Sequence, residues 1–197
     1  MPKTLIRTTL FLLAVAAFGG CASKTAPLSP GEGRGAIPDL RGRQVLVFPV
    51  QLQQGVPRGT LPDAELAHAL RSRGAQVLWS FPPDVERALS RSPGVTARMR
   101  DLPVGFFLLA EVERVGDPIY GEIRRLGALT GADVALLPIE LRYGEEGAYR
   151  LTVALIGVQS GRVGWFGVVQ GEAGGAEDPA SLASMADALA RAILPLG

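Results

Sequence analysis

The chain has 197 residues, 47% of them hydrophobic, with 20 Lys and Arg balanced by 19 Asp and Glu. Near-neutrality without a basic cluster excludes the positive stripe that nucleic-acid binding requires, so no nucleic acid is expected as a partner. One cysteine, Cys21, and one histidine, His68, exclude a disulfide framework and Cys/His-rich metal centres, so no metal and no cofactor is expected.

Lys3 and Arg7 precede an apolar run at 10–18, followed by Gly19, Gly20 and Cys21. That order is a secretory signal peptide, and its apolar run is shorter than the roughly 20 residues a membrane span needs. Without Lys3 and Arg7 the 20 basic residues fall to 18 against 19 acidic ones. The FGGC sequence resembles the lipobox of bacterial lipoproteins, with Phe18 where that family prefers Leu. The resemblance implies a signal peptide over 1–20, cleavage before Cys21, and fatty acylation of its thiol and new N-terminus. Two or more acyl chains anchor a protein stably where one does not. In such lipoproteins an Asp after the cysteine tends to retain the protein at the inner membrane; Ala22 here favours the outer membrane, facing the periplasm.

Residues 21–39 are dense in Gly, Pro and Ser and lack apolar periodicity, which predicts a flexible tether. The GEGRG at 31–35 precedes the first expected strand instead of following one, so it is no dinucleotide fingerprint. Residues 40–197 are the length of one α/β domain.

The Val-rich run 43–50 predicts a strand. Thr60 and Asp63 are expected to cap a helix whose stripe is Leu66, Ala69 and Leu70 and whose stop is Gly74. His68 lies beside that stripe as a solvated or partly packed helix residue. A second strand is expected at 76–81, followed by a short helix opened by Pro82, Pro83 and Asp84. The stretch 95–116 reads equally as strand, helix or an apolar loop lying on a partner. Asp117 and Pro118 begin a helix with Ile119, Ile123 and Leu126 at helical spacing, ending at Gly131.

Three strand-like runs follow, 134–143, 149–159 and 162–170, with tight turns between them that predict antiparallel neighbours. Both faces of the middle run are apolar, as in a central strand. Residues 179–194 form an amphipathic helix with Leu182, Met185, Ala186, Leu189 and Ile193 on one side. The expected fold is therefore a mixed sheet of about five strands with a C-terminal antiparallel meander, packed by about four helices.

The strand ending Val47, Phe48, Pro49, the LGALTGAD of 126–133 before a strand, and the QSGRVGW of 159–165 in the last hairpin resemble a group of envelope proteins. The group comprises the curli-secretion-channel lipoproteins, the N-terminal domain of the TolB translocation protein, and the outer-membrane lipoproteins that activate penicillin-binding proteins. The motifs are structural: Gly131 can close a helix left-handedly, and Gly161 supplies a positive φ before Trp165 packs on the sheet. The chain lacks the long alternating segments of the secretion channel, so no membrane barrel is expected. The resemblance implies a non-enzymatic assembly, secretion or cell-wall accessory that contacts another envelope protein.

No catalytic residue emerges. Glu111 with Glu113, and Glu145 with Glu146, pair on paper but match no calcium-loop or hydrolase spacing, and Ser160 lacks a nucleophile-elbow frame. Phe106, Phe107, Trp165 and Phe166 stand in adjacent pairs, so normal strand alternation would expose at least one large apolar ring of each pair; they are a candidate partner surface, the alternative being that helices cover both faces of the sheet. Homo-oligomerisation stays open, and the alternative role is a periplasmic module that binds a small ligand or glycan at the strand ends.

Overall fold

A computed structural model describes residues 28–194; the signal peptide and residues 21–27 of the expected tether, Cys21 among them, lie outside them. In chain order the elements are β1 (Gly33–Gly35), β2 (Gln44–Val47), β3 (Leu52–Gln54), α1 (Pro62–Arg73), β4 (Leu78–Ser80), α2 (Pro82–Ser90), a 3-10 helix (Val104–Leu108), α3 (Ile119–Thr130), β5 (Val134–Tyr143), β6 (Tyr149–Gly157), β7 (Val163–Gln170) and α4 (Pro179–Ile193).

One mixed sheet has the order β1-β7-β6-β5-β2-β4, with β3 pairing further along β5. β2 runs parallel to β4 and β5, and β5, β6 and β7 form the expected antiparallel meander. The sheet has seven strands where about five were expected. The two additions are three-residue strands without an apolar run to announce them. β3 continues the β2 edge after Pro49: Phe48 N–H donates to Leu136 O at 2.9 Å and Gln51 N–H to Pro138 O at 3.1 Å, so pairing with β5 runs past the proline. β1 lies inside 21–39, so the chain joins the sheet before the expected tether ends.

Each sheet face has its own core. On the first, Leu66 and Leu70 of α1 and Leu182, Met185, Ala186, Leu189 and Ile193 of α4 cover Leu151, Val153 and Leu155. On the second, Val85 of α2 and Ile119, Ile123 and Leu126 of α3 cover Ala135, Leu137, Ala154 and Ile156. β6 is thus apolar on both sides, as its sequence predicted. Fully burying one such aliphatic side chain contributes about 1.5–3 kcal/mol, so these two layers dominate stability.

The helix ends follow local chemistry with one correction. α2 opens on Pro82, and the Asp84 carboxylate accepts the Phe81 N–H at 3.1 Å. α3 closes on Gly131 at φ 70°, and Gly161 turns the last hairpin at φ 65°. The expected Thr60 and Asp63 cap of α1 does not form. Thr60 donates its hydroxyl to Pro57 O at 2.8 Å and Asp63 accepts the Val50 N–H at 2.9 Å, because tying the loop after β2 to the helix start uses that carboxylate. α1 begins instead with Pro62, whose missing N–H costs nothing in a first turn. His68 is exposed.

Candidate aromatic surface

The helices are distributed unevenly. α4 packs on β6 and β7 on the first face, whereas on the second α3 packs on β2 and β5. The second-face residues of β7 stay half-buried or exposed, and Phe166 among them meets the segment containing Val104–Leu108 through Phe107.

That segment, which the sequence leaves undecided, is an irregular strap with one 3-10 turn. At its start the Gln51 side chain brackets it, donating to Met99 O at 2.8 Å and accepting from Leu102 N–H at 3.0 Å. The buried Glu122 carboxylate accepts the Arg98 N–H at 2.9 Å and pairs with Arg125 at 2.7 Å. At its end Val163 N–H donates to Glu113 O at 2.9 Å and Val115 N–H to Gly161 O at 2.8 Å. Between these ties, Arg34 of β1 lies 3.5 Å from Glu111.

Strand alternation sends neighbouring side chains to opposite faces. Trp165 goes to the first face and is 7% exposed, in the core with α4. Phe166 goes to the second, where it is half-buried and stacks on Phe107 at 6.1 Å with 10° between the rings. Phe107, 3% exposed, stacks in turn on Phe106 at 4.6 Å and 24°. Phe106 is 38% exposed, Leu108 is exposed, and Leu109, at the end of the turn, is 87% exposed. The four rings expected to form one surface therefore separate: Phe106, Phe107 and Phe166 make a ladder, of which Phe106 and Phe166 reach solvent, while Trp165 is across the sheet. Offset stacking contributes about 0.5–1.5 kcal/mol per pair beyond area burial, which fixes the turn on β7.

Sequence reasoning left Leu108 and Leu109 out of the candidate surface. The signal was the FFLLA of 106–110, an apolar run with neither helical nor strand period.

The carboxylate pairs are surface groups. Glu111 faces Arg34 and Glu113 is exposed. Glu146 pairs with Arg150, whose hydrogen bond and charge hold that carboxyl below the usual range. Among the described residues no group of three or more His, Cys, Asp or Glu converges, and no buried side-chain polar atom lacks a partner.

Open grooves exist elsewhere. One, about 670 Å³, is lined by Ile37, Leu40, Arg41, Arg73, Val77 and Ile193, beside the N-terminal ends of the parallel strands β2 and β4. Ligands of open α/β sheets bind outside the carboxyl ends of such strands, so this groove is at the wrong end. A second, about 350 Å³, includes Tyr149, whose hydroxyl already donates to Ala176 O.

No protein-family model and no curated protein matches the sequence. Solved structures do. The LpoB C-terminal domain from Salmonella enterica is 18% identical, with 66% of this chain and 82% of that chain covered at a TM-score of 0.43. The PelC dodecamer from Paraburkholderia phytofirmans is 16% identical, with 84% and 99% covered and a TM-score of 0.42. Lipoprotein GNA1162 from Neisseria meningitidis is 16% identical, with 69% and 84% covered and a TM-score of 0.42. The penicillin-binding-protein activator lipoproteins named in the sequence resemblance are thus represented among the structural neighbours, by LpoB. At these identities the likeness is one of α/β fold.

Proposed function

We propose that this chain is a non-enzymatic accessory lipoprotein of the bacterial envelope, tethered through acyl chains on Cys21 to the periplasmic side of the outer membrane, and that it works by docking another envelope protein on the Phe106–Phe166 surface. The observation that carries the docking reading is the stacked ladder. Its stack on Phe107 accounts for one face of the Phe106 ring and leaves the residue 38% exposed, and buried interface centres are rich in aromatic rings. The lipobox-like FGGC supports the anchor.

A photo-crosslinking residue at 106 in living cells tests the docking, with one at 78, on the far edge strand, as control. A discrete heteromeric adduct from 106 alone supports the reading. An adduct with a second copy of this chain would replace it with self-association, and identical patterns from both positions would end it. The anchor is tested by metabolic labelling with a palmitate analogue, which should mark the protein and fail to mark Cys21→Ala.

A further inference from the structure

Leu109 is the most exposed large hydrophobic residue described, and the strap that carries it is tied by an ion pair to the strand through which the N-terminal segment joins the domain. Arg34 of that strand meets Glu111, two residues beyond Leu109. From Cys21 to Leu28, the first described residue, the chain can span no more than roughly 25 Å at full stretch, since each residue advances at most about 3.6 Å. From β1 to β4 the sheet is itself roughly 24 Å wide, at about 4.8 Å per strand spacing. An orientation with the β4 edge against the bilayer would use the whole reach of that segment, whereas with the β1 edge down it is slack. Leu109 is then on the near side.

We infer that Leu109, with Leu108, dips into the headgroup boundary of the membrane that holds Cys21 and so fixes the domain with its β1 edge toward the lipid. This rests on the acylation reading above. The occupant is a lipid surface. A two-leucine tip is too small to hold a protein on a membrane alone, but on a chain already confined there it selects orientation without supplying the affinity. The arrangement also complements the docking reading: Phe106 turns back onto Phe107 over the sheet, whereas Leu109 projects outward, so one turn can face lipid at its tip and a protein along its flank.

The test uses the acylated mature chain in vesicles of phosphatidylethanolamine and phosphatidylglycerol. Acylation consumes the Cys21 thiol, so Leu109→Cys and, separately, Leu78→Cys offer unique sites for an environment-sensitive fluorophore. Both residues are exposed, so neither substitution disturbs the core. The expected result is a blue-shifted emission at 109, quenched about twofold or more by lipids spin-labelled near the headgroup, as befits a group some 5–10 Å into the boundary, with an aqueous spectrum at 78. If the protein floats with the vesicles and both positions report water, or both report lipid, the orientation is refuted while the anchor stands. If it does not float, the anchor fails and the inference with it. An apolar signal at 109 that appears only when an envelope extract is added would assign the tip to a protein and overturn the lipid assignment.

Discussion

The indole of Trp165 occupies the space in which a side chain at Gly33 would stand: a Cβ built there would lie 2.4 Å from Nε1. The strand nearest the N-terminal segment is therefore admitted to the sheet by the absence of a side chain. Gly33→Ala should force the indole or β1 to move and cost about 1–3 kcal/mol, as overpacking does. Urea unfolding would measure the loss. Amide exchange would locate it, because the Val168 N–H, bonded to Glu32 O at 3.0 Å, should lose protection before amides in β5.

Neighbouring phenylalanines should behave oppositely. Phe107→Ala removes a buried ring from the second core and should cost about 3–5 kcal/mol. Phe106→Ser should cost less, about 1–2 kcal/mol, since it loses the stack on Phe107 but the residue is already 38% exposed, yet should abolish capture of the docked partner. Thermal unfolding of both variants, with chemical crosslinking of the second in the intact envelope, separates the two roles. Equal destabilisation would show that Phe106 is only a core residue.

Glu122 holds the strap to α3. Glu122→Ala leaves the Arg98 N–H without its acceptor and unpairs Arg125, and because both arginines are largely exposed the loss should be modest, about 1–2 kcal/mol. Faster exchange of the Arg98 amide at unchanged protection in β6 would mark the effect as local loosening. Uniform loss across the sheet would contradict it.

Tyr149 gives the fold an alkaline limit. Burial raises its phenol pKa above the ordinary value of about 10, so the unfolded chain releases this proton first. The folded state then binds more protons than the unfolded one, and stability is complete below about pH 10 and falls as pH rises beyond it. Absorbance of the phenolate near the tyrosinate band should show a late-titrating component that is missing in Tyr149→Phe. Identical titration curves for the two proteins above about pH 10 would refute it.

Periodicity sufficed wherever an element had to bury a whole face. α3, α4 and the meander fall almost where their apolar patterns put them, because 3.6- and 2-residue repeats are direct images of packing. β1 and β3 escaped for the complementary reason. A three-residue edge strand is held by backbone hydrogen bonds, which every sequence can make, and its Gly, Arg and Gln side chains carry no period. The α1 cap failed similarly: Thr60 and Asp63 have the right chemistry, but Val50, brought close by the chain's return from β2, took the carboxylate.

The amino-acid order alone determined the lipobox-like cysteine, the near-neutral balance of charge, the alternation of strand and helix, and the two-faced burial of β6, since each is local along the chain. Only the tertiary structure decided which aromatic rings meet. Phe107 and Phe166 are far apart in sequence and become a stack because β7 turns one ring outward and the strap, tied at Gln51, Glu122 and Gly161, lays another upon it. Whether a phenylalanine is core or surface depends on what folds over it, and that is a property of distant residues that no local pattern contains.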